Sequence, residues 1–528
     1  MKGRVTMKPV RSFTFLEYSI PALSRFFWGA ALLTLPVTSF RYFPGMGEGT
    51  LVRPLAFYPI ALLSLVLVVQ LRRGKTSIPR TGVWIPFIVF VLFLAAASSY
   101  GALLEPLVLR GQDYFGRVIR AWLTVVIGLL FFITAVWMNR SEEDLRFTIR
   151  WLLAGFVLDI VWSGVQSLAF YTPLLRKVTV THWQLAFSMR ELVRSNRVSG
   201  LAYEPAWLAG QVATIYLPWL VAAVLTRIRM TRFKWYEVIL LGFAWLLLLA
   251  TYSRGGLITA LAALILTFLF AGQAEIRSGW NWFASGFRRG PDLILRLGVI
   301  VLILGALAGA GLFLSQKGYV TRLFNSNAES LQEFILENSA GARAAYTFGA
   351  LGAYEESPWL GVGLGASGFY IYQHLPDWAL TTVPEIARQL SPENRLYPNP
   401  KNMYARLLAE SGLIGFFLFI AFQFSVLGDV LTALQKKSAL MRYVGIAGLF
   451  SWFAIAIYNA TQDSLATPNI WINLGIVAGV MAYPLESENP PVLSVPSSPL
   501  ENHIQNAPDV VPGVGTAPDG GLSDQETP

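Results

Sequence analysis

Residues 235–271 read "WYEVILLGFAWLLLLATYSRGGLITALAALILTFLFA": two apolar runs interrupted by a serine, an arginine and two glycines. As one helix these 37 residues would extend about 55 Å at 1.5 Å per residue, against a bilayer hydrocarbon core of about 30 Å. Two spans joined by a tight turn fit that dimension, and Gly255-Gly256 are expected to permit the turn. The stretch therefore reads as a helical hairpin that crosses a membrane twice.

Similar apolar runs recur from about residue 22 to residue 484. Of the 528 residues, 54% are hydrophobic and only 14% charged, with a mean hydropathy of +0.51. Soluble domains carry roughly 25% charged residues, so this chain is too poor in charge to coat a surface in water. The runs are continuous rather than alternating, which excludes a transmembrane β-barrel pattern. The fold class is all-α: a polytopic integral membrane helical bundle of about twelve transmembrane helices.

Spans are expected near 22–40, 54–71, 83–104, 118–138, 147–170, 204–226, 235–252, 254–271, 293–315, 411–435, 441–462 and 468–484. This divides the chain into an N-terminal segment (1–21), helices one to nine (22–315), a large loop (316–402), helices ten to twelve (403–484) and a tail (485–528). "MKGRVTMKPVRSFTFLEYS" at the start is basic and lacks the pattern of a removable signal. The short loops "RRGKTSIPR" (72–80), "NRSEEDLR" (139–146), "RIRMTRFK" (227–234), "FRRG" (287–290) and "KKSALMR" (436–442) are basic or mixed. The positive-inside rule then puts them and both termini in the cytoplasm, and the "YSRGG" turn outside with segments 171–203 and 316–402.

The net charge is +10, yet the tail holds seven acids and no Lys or Arg. The rest is correspondingly more basic, which on a membrane protein points to anionic lipid or phosphate groups rather than nucleic acid. The tail's Pro, Ser and acidic composition reads as disordered. The large loop contains aromatics, a helical stretch near 340–356 and Gly363 to Gly368, so it is expected to be partly helical and folded over the mouth of the bundle. The glycines formally match G-x-G-x-x-G, but no strand–turn–helix unit surrounds them, so a dinucleotide site is rejected. The chain has no cysteine, which excludes thiolate chemistry and Cys-ligated metals. His182, His374 and His503 stand apart, Glu355-Glu356 point away from each other on a helix, and no metal or cofactor site is expected.

Four blocks carry the candidate chemistry. In "RVSGLAYEP", Arg197 and Glu204 lie seven residues apart, roughly one helical face if the segment is helical, as an interfacial salt bridge or as part of a site. Arg254 in "TYSRGGLI" is either a snorkelling residue or an anion clamp, since a guanidinium offers bidentate donors to phosphate and stays charged at low dielectric. Arg343 sits on a small-residue helix ahead of "SPWLGVGLG". "YPNPKNMYARLLAESGLIGFF" (397–417) stops the loop with two prolines and offers Asn399 or Asn402 as a helix cap. Lys401, Tyr404, Arg406 and Glu410 follow at the entrance to the next span.

In their order and spacing these blocks resemble the O-antigen ligase and O-antigen polymerase superfamily of bacterial envelope glycosyltransferases. The resemblance runs from about residue 197 to 420. It implies a twelve-span protein of the bacterial cytoplasmic (inner) membrane with a large periplasmic loop between spans nine and ten. It also implies a polyprenyl-pyrophosphate-linked glycan donor and a glycan, lipid or protein acceptor. In the ligases, the positions matching Arg254 and Arg343 contact the pyrophosphate. The ligases carry a histidine followed by asparagine at the loop's end, where this sequence has Lys401-Asn402. That departure leaves the acceptor-activating base open and weakens a ligase reading against a polymerase.

The residues suit such chemistry in their own right. As an acceptor hydroxyl displaces a polyprenyl pyrophosphate, negative charge grows on the leaving oxygen, and fixed cations stabilise it without a metal. Arg254, Arg343 and Lys401 are the catalytic candidates, with Lys401 a third clamp before a base. Arg197, Glu204, Asn402, Tyr404, Arg406 and Glu410 are expected to bind substrate, Glu204 or Glu410 being alternative bases. Outward-facing arginines would also suit a transporter of lipid-linked glycans or small anions, although repeats and paired broken helices are not evident. A non-catalytic partner in envelope assembly is a third reading.

Overall fold

The computed structural model describes residues 14–43, 50–104, 108–192, 196–286, 290–315, 328–337, 340–394 and 397–482. The tail expected to be disordered, the start of the N-terminal segment and the first part of the large loop lie outside these residues. The helices before the large loop are α1 (Thr14–Thr34), α2 (Phe57–Arg72), α3 (Trp84–Gly101), α4 (Tyr114–Met138), α5 (Glu142–Tyr171), α6 (Lys177–Leu185), α7 (Pro205–Gln211), α8 (Leu217–Thr226), α9 (Tyr236–Ala250), α10 (Arg254–Ala271), α11 (Gln273–Ser285) and α12 (Gly290–Ser315). The loop contributes α13 (Leu331–Glu337), α14 (Gly341–Glu356), α15 (Ser367–Ile371), α16 (Trp378–Thr382) and α17 (Pro384–Gln389). The bundle resumes with α18 (Met403–Gln435), α19 (Ala439–Tyr458) and α20 (Ile472–Ala482). One hairpin departs from the all-α expectation, its strands β1 (Val108–Leu109) and β2 (Gln112–Asp113) joined by Arg110 and Gly111 at positive φ.

Seven helices among the described residues are long and apolar enough to cross a membrane, and three shorter apolar segments accompany them. Their packing is that of a bundle in lipid. Helix α10 buries Gly256, Thr259, Ala260, Ala263 and Thr267 and exposes Ile258, Leu261, Ile265 and Leu269. Both stripes follow helical spacing, with small residues against neighbours and large ones outward. Helix α3 likewise exposes Ile85, Ile88 and Leu92 while burying Phe87, Phe90 and Leu94. The 205–226 segment is the most enclosed span, and a π-helical turn at Val212–Tyr216 joins α7 to α8. Trp28, Trp219, Tyr216, Phe422 and Trp471 fill the interior around it.

Several helix starts follow from capping. Asp113, Ser141, Ser253, Asn402 and Ser438 each accept a backbone N–H at the first turn of α4, α5, α10, α18 and α19, which satisfies donors the helix leaves open. Glu142, Glu143 and Asp144 add negative charge at the start of α5, favourable to its dipole.

Some expected boundaries move. The first helix runs from Thr14 to Thr34 rather than from 22 to 40, because Pro36 disfavours a helical Leu35. The expected 441–462 helix stops at Tyr458, and the polar run "NATQDS" (459–464) becomes a loop. Helix α11, in a region read as a basic loop, was not expected; its Trp280, Trp282 and Ile276 are exposed. Between α9 and α10 the turn is at Thr251–Ser253, with Tyr252 at φ 48°. Gly255 and Gly256 lie inside α10 and do not make it. Gly256 serves contact instead, since a Cβ there would stand 2.2 Å from Ala209 Cβ.

The ends of the helices alternate. The C-terminal ends of α1, α3, α5, α9 and α19 share one end of the bundle with the folded loop segments. The turns at 73–83, 139–141, 227–235 and 436–438 share the other. Helix α20 runs parallel to α4, with Gly475 against Phe132 and Ala135 and Gly479 against Val136. Ala482 therefore ends beside the same turns as the start of α1.

Candidate functional site

The large loop closes on the bundle through glycine. Gly361, Gly363 and Gly365 have φ of +72°, +98° and +79°, a region that side-chain-bearing residues rarely adopt. A Cβ at Gly363 would meet the Tyr114 hydroxyl at 2.2 Å, and one at Gly365 would meet Ala121 Cβ at 2.7 Å. Helix α18 is broken at Gly412 (φ 61°, ψ −168°), and residues 358–363 lie along the break. Val362 and Gly363 donate to the Ala409 and Glu410 carbonyls at 2.8 and 3.2 Å, and Leu413 donates to the Pro358 carbonyl at 2.8 Å. The backbone groups released by the kink are thus satisfied by the loop. The glycine run is a backbone seam over the mouth of the bundle, as expected from its setting.

Around this seam the cations and acids gather. Arg406 donates from Nε to Glu410 Oε2 at 2.9 Å, and Ser367 donates to Glu410 Oε1 at 2.8 Å. The pair is enclosed, its side chains 12% and 4% exposed. Arg117 stacks its guanidinium 3.7 Å above the Tyr397 ring, and Tyr397 donates to the Gly365 carbonyl at 3.3 Å. Burial pushes the Tyr397 phenol far up, so it remains a neutral donor. From the β1–β2 hairpin, Arg110 reaches the carbonyls of Gln389 at 2.9 Å and Ser391 at 3.2 Å at the end of α17.

The loop after α19, residues 459–467, is the point on which the predicted residues converge. Arg343 on α14 is exposed and donates from Nη1 to the Thr461 carbonyl at 2.6 Å. Arg254 opens α10, and a Cβ on the next residue, Gly255, would stand 4.0 Å from Thr461 Cγ2. Lys401, exposed and at φ 61°, donates its backbone N–H to Asp463 Oδ2 at 2.9 Å. Arg406 donates from Nη1 to the Asp463 carbonyl at 2.6 Å. Tyr458, just before this loop, stands within electrostatic range of Arg343, Glu204 and Asp463. Tyr203, beside Glu204, has its phenol raised by burial, with Glu204 adding and Arg190 opposing.

The structure thus brings Arg343, Lys401 and the helix start carrying Arg254 to one loop, with Glu204 within electrostatic range of Tyr458 just before it, and gives the other candidates structural partners. Asn402 caps α18, its Oδ1 accepting from Tyr404 and Ala405 N–H at 2.9 and 3.2 Å. Tyr404 donates to the Ala456 carbonyl at 2.7 Å, fastening α18 to α19. Arg406 and Glu410 hold each other. Arg197 and Glu204 do not share a helical face, because residues 196–204 are irregular. Arg197 instead donates to the Thr251 and Tyr252 carbonyls at 2.9 and 3.2 Å, holding the turn that leads to Arg254.

Thr461 and Asp463 were missed from sequence: Thr461 falls inside the expected 441–462 helix, and Asp463 stands just beyond its expected end. The signal was present, since Asn, Thr, Gln, Asp and Ser in succession are turn chemistry. Two surface cavities, one bordered by Leu71, Arg80, Thr81 and Trp84 and the other by Phe270, Arg277, Leu434 and Arg442, lie at the opposite end. That is about 27 Å away along the 18 residues of α3. No group of three or more His, Asp or Glu side chains placed to hold a metal occurs among the described residues.

An apolar helical bundle with small residues inward and a cationic cluster at one end is a multi-pass membrane protein. Residues 239–420 match the family model described as O-antigen ligase. The match supports the O-antigen ligase and polymerase superfamily that the sequence blocks resemble. The match spans about a third of the chain and supports a membrane glycosyltransferase of that general type. The matched segment begins in α9 and ends in α18, so it contains Arg254, Arg343, Lys401, Asn402, Tyr404, Arg406 and Glu410. Arg197, Glu204 and Asp463 lie outside it. No curated protein matches the chain.

Proposed function

We propose that this protein transfers or polymerises a glycan from a polyprenyl-pyrophosphate donor onto an acceptor hydroxyl at the outer face of the membrane, with both termini in the cytoplasm. The observation that carries this reading is the convergence of Arg254, Arg343 and Lys401, three residues of the segment that matches the O-antigen ligase family, on the 459–467 loop beyond it. In the proposed reaction the acceptor oxygen bonds to the anomeric carbon. The bond from that carbon to the pyrophosphate oxygen breaks, and the leaving group departs with the bonding pair. Arg254 and Arg343 stabilise the charge that grows on it, a contribution available because they are fixed in place before the reaction. Lys401 is exposed rather than desolvated, which favours a third phosphate contact over a base. The Asp463 carboxylate, beside Lys401, takes the acceptor proton, with Glu204 the second carboxylate at the cluster.

The test is transfer in proteoliposomes from a lipid-linked oligosaccharide, comparing wild type with Arg254→Ala, Arg343→Ala and Asp463→Asn. All three are expected to lose transfer while inserting normally. A single capped acceptor identifies a ligase, and a ladder of repeat units on the lipid identifies a polymerase. Lipid-linked glycan moved across vesicles without any acceptor would favour a transporter instead.

A further inference from the structure

A set of buried polar groups on α5 lies outside the family match and outside the proposed chemistry. Gln166 is fully buried, and both ends of its amide are used. Its Oε1 accepts from Ser199 N–H at 3.0 Å and Gly200 N–H at 2.9 Å. Its Nε2 donates to the Gly200 carbonyl at 2.8 Å and to Gln184 Oε1 at 3.2 Å. Two turns earlier, Asp159 is also fully buried, and its Oδ1 accepts from Leu201 N–H at 2.7 Å. A carboxylate inside a membrane-spanning helix is costly to keep. Gly200 has φ +56°, and a Cβ there would meet Asp159 Oδ1 at 2.2 Å and Ser163 Oγ at 2.9 Å. Backbone 199–201 therefore lies flat on α5, read out by two side chains two helical turns apart.

That backbone continues directly into the site. Val198 N–H donates to the Ala250 carbonyl at 3.3 Å, and Arg197 donates to the next two carbonyls, Thr251 and Tyr252. Ser253 then caps α10 and Arg254 follows. An unbroken series of hydrogen bonds thus runs from α5 through 197–201 to the turn that presents Arg254.

We infer that Asp159 and Gln166 are positioning residues: by fixing 199–201 on α5 they set, through Arg197, where the Arg254 turn stands against the 459–467 loop. The consequence for transfer rests on the function proposed above, whereas the geometric consequence does not.

The chain has no cysteine, so the geometry is open to cross-linking. Gly255→Cys with Thr461→Cys brings two thiols to a spacing that an oxidant closes, given the 4.0 Å from a Gly255 Cβ to Thr461 Cγ2. Gly448→Cys with Val430→Cys, at 3.6 Å between α19 and α18, controls for the fold away from the site. Gln166→Leu and Asp159→Leu are expected to lower the 255–461 cross-link several-fold, to leave the 430–448 cross-link unchanged, and to cost about 100-fold in transfer. Asp159→Asn keeps an oxygen for the Leu201 N–H and is expected to restore both the cross-link and transfer. Normal 255–461 cross-linking in the leucine variants would overturn the positioning role, as would an Asp159→Asn that behaves like Asp159→Leu. Loss of both cross-links together would show a general packing role and overturn it too. A shifted cross-link in a protein whose wild type transfers no glycan would uphold the geometry and reject the proposed function.

Discussion

Replacing Glu410 with alanine tests what holds the loop onto the broken helix. Glu410 accepts from Arg406 and from Ser367, and the ion pair is almost fully enclosed. Removing the carboxylate leaves a buried guanidinium held by the Asp463 carbonyl and a buried hydroxyl without its acceptor. Breaking a buried pair from one side costs about 3–5 kcal/mol, most of it the uncompensated charge. Glu410→Gln keeps the size and an acceptor but strands the same guanidinium charge, so it is expected to carry most of that cost and to recover only about 1 kcal/mol relative to alanine, through the neutral hydrogen bonds it retains. Reversible unfolding by SDS in mixed micelles, followed by tryptophan fluorescence, reads both values. Arg406→Met alongside Glu410→Ala is expected to recover part of the loss, since it removes the stranded charge. A glutamine variant as stable as wild type would refute this reasoning, because the charge would then contribute nothing.

Three further outcomes follow from the same contacts. Gly363→Ala places a Cβ 2.2 Å from the Tyr114 hydroxyl at a φ of +98°, and is expected to cost about 2–3 kcal/mol in the same unfolding assay. Arg110→Ala frees the end of α17, so hydrogen exchange is expected to rise across residues 384–394 while the spans keep their protection. Burial, with Glu385 adding, raises the Tyr346 phenol to about 12. The folded state therefore holds this proton more tightly than the unfolded chain, and the stabilisation is present below about pH 10 and lost as pH rises towards 12. Tyr346→Phe is expected to flatten the alkaline limb of a stability–pH curve over that window.

Membrane dimensions made the helical class and the 235–271 hairpin legible from sequence, because an apolar run either fits a bilayer or must turn. A cap at Asn399 or Asn402 was legible as a local rule, and the structure places it at Asn402. Side-chain roles at the site were less so. Arg197 and Glu204 were paired by helical periodicity, yet 196–204 takes its shape from Gln166 and Asp159, more than thirty residues away in the chain. Gly255 and Gly256 looked like turn residues, but Tyr252 makes the turn and Gly256 admits Ala209. Thr461 disappeared inside an overextended helix, with Asp463 just past its expected end. Each of these depends on which helix lies beside which, and no spacing within one segment encodes that.

The account's central claim is that two fixed arginines meet the leaving pyrophosphate. The direct measurement is the initial rate of glycan transfer from a polyprenyl-pyrophosphate donor in proteoliposomes containing wild type, Arg254→Ala or Arg343→Ala, each shown to be inserted and monodisperse. Loss of either arginine is predicted to lower the rate by about 100- to 1,000-fold, the scale for removing one preorganised donor at a developing anion. Wild-type rates in both variants would contradict the claim.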